Sequence, residues 1–169
     1  SSRRASLYGI QNMSIGDHVR IDDFCILSGK IVLGSYIHIS AHAVLYGGEA
    51  GIIVGDFANI STRSTIFALS DDFSGAAMAG AMLPLEYRLV DERPVVIEKH
   101  VVVGAHCVVL PGVILSEGSA FGCCSLINSS SLPWTLNVGV PARKIKDRQR
   151  EPLILEKEIL LNQEKPFDM

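Results

Sequence analysis

Two carboxylates stand side by side in TIFALSDDFSG, residues 65–75. Asp71 and Asp72 follow a strand-like run and open a long irregular stretch. A carboxylate at such an exit is either a solvated loop start or a proton acceptor beside a cleft. A free carboxylate has a pKa near about 4 and is a weak base for a hydroxyl. Burial, or repulsion between the two acids, would raise it. An amine acceptor is already partly deprotonated near neutrality and would ease the demand. The other candidates for proton transfer are His18, His38, His42, His100 and His106. The four cysteines, Cys25, Cys107, Cys123 and Cys124, lack a metal-ligand spacing, so no metal is expected and reduced cytosolic thiols are.

These residues are positioned by a repeat. Reading in sixes gives IGDHVR and IDDFCI from Ile15, LGSYIH and ISAHAV from Leu33, and VGDFAN and ISTRST from Val54. From Ile97 come IEKHVV, VGAHCV, VLPGVI, LSEGSA, FGCCSL and INSSSL. The first position is always apolar and the fifth is small or aliphatic. A helical period cannot hold that register over six consecutive hexads. Three short strands per coil of a parallel β-helix can, with the first and fifth residues stacked inward on neighbouring coils. The recurring Gly at position two is expected at tight corners, through positive φ or close backbone approach. Ser119, Ser125 and Ser131 fit a narrowing interior if their hydroxyls find partners. Hydrophobic residues make up 48% of the chain but aromatics only 7%, which suits such narrow packing.

Two interruptions and a tail complete the organisation. GGEAGI, residues 47–52, adds three residues, and a larger excursion runs from about 71 to 94. An excursion that long is usually functional, and this Met- and Ala-rich one could pack on a neighbouring subunit. The repeat domain spans residues 1–148, and 149–169 form a C-terminal extension with an amphipathic helix over an open end or groove. The net charge of −3 gives no reason to expect nucleic acid or an anionic membrane. No apolar run reaches the length of a membrane span, and the opening residues lack the apolar core of a secretory signal.

VVVGAHCVVLPGV (101–113), SAFGCCSLINSSSL (119–132) and NVGVPARKIKDR (137–148) resemble the hexapeptide-repeat acyltransferases, most closely the galactoside and maltose acetyltransferases and their polysaccharide-sugar relatives. The resemblance implies an all-β, left-handed parallel β-helix. It further implies a cytoplasmic bacterial homotrimer with acetyl-CoA as co-substrate and active sites between subunits. Carried over by position, Ala105 and Cys123 would flank the pantetheine arm. Asn128 and Ser129 would stand where relatives place Thr and Lys. Arg143 and Lys146 would meet the nucleotide phosphates.

In these relatives a Gly-His-Pro stretch supplies the base just before the long loop. Here SDD stands in its place, so the His is absent and Asp71 occupies the position. Three assignments stay open: Asp71 is the base; another His, foremost His42, serves with Asp71 orienting it; or activity is lost and a scaffold remains. Asp72, Tyr46 and Arg63 are expected on the acceptor side. The resemblance favours a sugar hydroxyl as acceptor, narrowly ahead of the amino group of a nucleotide-linked amino sugar that the missing His would suit. A γ-type carbonic anhydrase on the same fold would need three His ligands converging between subunits.

Overall fold

The computed structural model describes residues 2–163; the last six residues of the predicted extension lie outside it. The chain is a parallel β-solenoid of the left-handed β-helix class, wound in about seven turns. Its strands line three faces. Face one holds the segments around Ser14, Val32, Ile53, Val96 and Ile114, in parallel register. Face two runs through Arg20, His38, Asn59, Val102, Ala120 and Leu136. Face three runs through Ile26, Val44, Thr65, Val108 and Leu126.

The hexad pattern explains the core. Leu27, Leu45, Ile66, Val109 and Ile127 form one inward column, paired coil to coil and buried. The serines find their partners. Ser125 donates to the Gly122 carbonyl at 2.7 Å. Ser131 donates to the Ser119 hydroxyl at 3.0 Å and accepts from the Ser116 amide.

The corners divide their labour differently from the simplest reading of the glycines. Positive φ falls at the fourth position, on His18, Phe24, Tyr36, His42, Phe57, Arg63, His100, His106 and Cys124. The position-two glycines are there for close approach. A Cβ on Gly104 would stand 2.6 Å from the Phe121 carbonyl oxygen and 2.9 Å from the Cys123 nitrogen, both backbone of the next coil. The aromatic residues and some of the histidines at the left-handed corners stack on one another, which offsets part of their backbone cost. His18, Tyr36, Phe57 and His100 stack at centroid separations of 4.6, 4.8 and 5.2 Å.

Both interruptions leave from the corner between faces three and one. The register steps from 18 to 21 residues between Tyr46 and Ile52. The long excursion is not structureless. Its ends, Leu69–Asp71 and Val90–Glu92, pair antiparallel. Glu92 then accepts hydrogen bonds from the amides of Glu49 (2.6 Å) and Ala50 (3.2 Å), so each interruption holds the other.

After the last coil, Thr135–Gly139 and Ala142–Asp147 form a hairpin that extends face two. Helix α1, Pro152–Gln163, lies along the aromatic corner rather than over an open end. Glu156 pairs with Lys99 (2.5 Å) and His100 (2.6 Å). Leu160 lines a groove with Tyr36 and Phe57. The helix is not amphipathic: Ile154, Leu155, Ile159, Leu160 and Leu161 are exposed around it. No described helix is long and apolar enough to cross a membrane.

Candidate active site

Asp71 ends the outgoing strand of the excursion, opposite Val90. Its carboxylate is gripped on both oxygens. Arg88 Nη2 donates to Oδ1 at 2.7 Å, and the Gly80 amide donates to Oδ2 at 3.0 Å. Arg88 is mostly buried, with 14% of its side chain exposed. Its hydrogen bond, and its charge, hold the Asp71 carboxyl below the ordinary carboxylate range. The sequence had left open an upward shift, from burial or from Asp72. The direction is downward, because a cation and a backbone amide face the group and Asp72 is turned away.

Asp72 has its own partners. It accepts from the Ser74 amide at 3.0 Å, the Ser74 hydroxyl at 2.9 Å and the Ala76 amide at 3.1 Å. The Ser74 bonds lower its pKa as well. These contacts cap the first turn of the excursion.

Asp71 stands between two pockets. One, of about 460 Å³, is lined by Tyr46, Phe67, Leu69, Val90, Arg88 and Ala81. The other, of about 560 Å³, reaches Asp72, Ser74, Asp91, Arg93, Pro111 and Asn128. Ser70, Asp71, Phe73 and Leu110 border both. Of the residues singled out in the sequence, Asp71, Asp72, Tyr46 and Asn128 therefore meet within one chain.

The others lie elsewhere. His42 and Arg63 occupy the left-handed corner between faces two and three, exposed, and line neither pocket. His42 stacks on Phe24 at 5.0 Å. Ala105 and Cys123 sit on that same corner; the Ala105 carbonyl accepts from the Cys124 amide. Ser129 is exposed just past Asn128. Arg143 and Lys146 are exposed on the hairpin strand that extends face two. Among the described residues, no three His, Cys, Asp or Glu side chains gather where they could hold a metal ion.

The structure adds two residues that the sequence did not single out. Arg88 lies inside the excursion, outside the hexad register, so no repeat position marks it. Phe67 follows buried Ile66 and faces outward against Tyr46, with ring centroids 5.6 Å apart. Strand alternation after Ile66 could have found it.

No protein-family model matches the chain. An Escherichia coli protein named dTDP-4-amino-4,6-dideoxy-D-glucose acyltransferase is 41% identical over 158 residues, 92% of this chain and 82% of its own length. The solved structure of AntD, an N-acyltransferase from Bacillus cereus, with dTDP and 3-hydroxybutyryl-CoA matches at 49% identity and a TM-score of 0.95. It covers 97% of this chain and 87% of that one. AntD has also been solved with dTDP-4-amino-4,6-dideoxyglucose and coenzyme A, at 49% identity and a TM-score of 0.94, covering 95% of this chain and 87% of that one. Its variants include one with a serine replaced and one with an aspartate replaced ten residues further on. The class is thereby defined: a β-solenoid enzyme of acyl transfer. The chain belongs to the hexapeptide-repeat acyltransferases.

Proposed function

We propose that the chain transfers an acyl group from acyl-CoA to the amino group of a nucleotide-linked 4-amino-4,6-dideoxy sugar. The observation that carries this is the ionised Asp71 between two pockets. A carboxylate held below its ordinary pKa is a poor base for a sugar hydroxyl and a good partner for an ammonium group. The sequence placed the hydroxyl narrowly first. The downward shift of Asp71 and the names of the relatives favour the amine instead.

In the proposed reaction the acceptor nitrogen, after losing one proton to solvent, attacks the thioester carbonyl. Positive charge grows on nitrogen and negative charge on oxygen. Asp71 stabilises the nitrogen charge, a form of electrostatic catalysis. The carbon–sulfur bond breaks, and the thiolate takes up the proton that the nitrogen releases. No strong base is required, which fits a chain whose SDD replaces the family's histidine stretch.

We assign the acceptor to the Tyr46 side and the acyl-CoA arm to the Asn128 side, with Ala105, Cys123 and Ser129 along the arm and Arg143 and Lys146 at the phosphates. The sequence holds a single serine followed ten residues later by an aspartate, Ser61 and Asp71. That spacing equals the one between the two residues replaced in AntD, and it adds Ser61 to the proposal. Ser61 lies one coil before Ala105, beside the corner at the far end of face three from Asp71, and borders neither Asp71 pocket. The separation supports a homotrimer in which the corner of one subunit, with Ser61, Arg63 and His42, completes the Asp71 site of the next. Phe73 and Met82, 94% and 96% exposed on the excursion, supply apolar surface for such packing. A cytoplasmic bacterial enzyme making precursors of surface polysaccharide fits this substrate class.

The test is acyl-CoA turnover, read as free thiol, with neutral sugars in one panel and nucleotide-linked amino sugars in the other. A base-stable amide from the amino panel alone is expected. A base-labile ester from the neutral panel would overturn the reading.

A further inference from the structure

We propose that the Tyr46–Phe67 shelf seats the acceptor's sugar ring and selects a methyl group over a hydroxymethyl group on it. The proposal rests on the N-acyl reading above and names the wall that sets its specificity.

If the amine meets Asp71, the ring that carries it must lie on the walls next to that carboxylate. The phosphates, ribose and base are further along the molecule and cannot occupy the same wall. The acyl arm approaches from the Asn128 pocket, which shares with this one only Ser70, Asp71, Phe73 and Leu110. What remains beside Asp71 is nearly all apolar. Tyr46 and Phe67 stack with an interplanar angle of 24°, and Leu69, Val90 and Leu110 border them.

The shelf belongs to the solenoid rather than to the loop. Tyr46 and Phe67 are register partners on face three. Their strands carry the fully buried Leu45 and Ile66 on the inner side. The wall opposite is fixed too, because Val90 pairs with Asp71 and Glu92 holds the bulge amides.

Such a wall fits the C–H face of a pyranose and a methyl substituent. Few polar groups at its edge are open to the sugar's substituent. Asp71 is engaged by Arg88, by the Gly80 amide and, on this reading, by the amine. Arg88 Nε, though it has no partner among the described residues, is buried away from the pocket surface. A hydroxymethyl group set against the ring faces would lose its water, with the Tyr46 hydroxyl as the one side-chain partner that the shelf itself offers. Apolar pockets reject an added hydroxyl by at most about a hundredfold, so a preference of roughly ten- to a hundredfold is the scale to expect.

The experiment is calorimetric titration of the full chain, with coenzyme A present, using two nucleotide-linked amino sugars that differ only in methyl against hydroxymethyl. Wild type is expected to bind the methyl sugar about ten- to a hundredfold more tightly. Phe67→Ser should bring the two affinities close together, and Phe67→Leu should keep the preference. Coenzyme A affinity should stay the same in both variants. Equal binding of the two sugars by wild type, or equal weakening of both by Phe67→Ser, would overturn the shelf. Turnover is scored separately. Selective binding without amide formation supports the shelf and removes the N-acyl reading. Amide formation without selectivity does the reverse.

Discussion

Ile66→Ala tests whether the coil that carries the proposed acceptor wall is as rigid as its packing requires. Ile66 is fully buried between Leu45 and Val109. The substitution removes three carbons, whose transfer alone is worth about 2.4 kcal/mol at roughly 0.8 per methylene. A cavity term is added, and large-to-small core changes of this kind span about 2–5 kcal/mol. The upper half of that range applies. Ladder hydrogen bonds on both sides hold neighbouring strands at their fixed spacing, so the coils cannot close over the gap. The assay is urea unfolding followed by far-ultraviolet circular dichroism, with Thr65→Ala on the outward side of the same strand as control. A loss of about 3–5 kcal/mol is expected for Ile66→Ala, and under about 1 for the control. A loss under about 1 kcal/mol at Ile66 would refute the claim that the ladder prevents collapse.

Arg88→Gln removes the hydrogen-bonded cation that lowers the Asp71 pKa, which should then rise towards its ordinary value. The acid limb of kcat/KM would move to higher pH, and an unchanged limb would separate Asp71 from the chemistry. The same sign governs stability. A depressed folded pKa contributes stability that is present above the unfolded pKa and lost as pH falls through the folded one. That acid-side loss should shrink in the variant. Gly104→Ala should destabilise by about 1–3 kcal/mol through clash with the next coil. Relief of backbone entropy alone would give a gain of about 0.4–1 kcal/mol; the sign of the measured change decides. Glu156 is pushed up by burial but held lower overall by Lys99 and His100. Glu156→Gln should free α1, seen as faster proteolysis within 150–163 with the solenoid intact; unchanged protection would mean that the ion pairs do not hold the helix.

Most of the fold was legible because position in a hexad dictates burial. Ile66, Val109 and Ile127 declare themselves by register alone, and the two interruptions show as breaks in it. The role of the glycines was only half legible, since sequence does not reveal the sign of φ. The left-handed corners fell on His, Phe, Tyr and Arg, and Gly104 answers instead to a neighbouring backbone. The helix residues 152–163 are apolar, but not on one side, and only the Glu156 contacts show where the helix docks. At the site, register led to Asp71 and could not lead to Arg88, whose partnership depends on how the excursion folds back 17 residues later. That single contact lowers the Asp71 pKa where the sequence had left a rise open, and it weighs towards the proposed amine acceptor. His42 was legible as an outward residue at a fourth hexad position; Arg63, expected on the acceptor side, sits on the same corner and lines neither Asp71 pocket of its own chain.

The most direct test of the central claim is amide formation on a nucleotide-linked amino sugar by wild type and Asp71→Asn, with coenzyme A binding and circular dichroism as controls. An anchor for charge growing on nitrogen predicts a fall in kcat of about a hundred- to a thousandfold, with coenzyme A affinity and fold unchanged. Turnover near the wild-type rate would show that the ionised carboxylate of Asp71 does not carry the reaction.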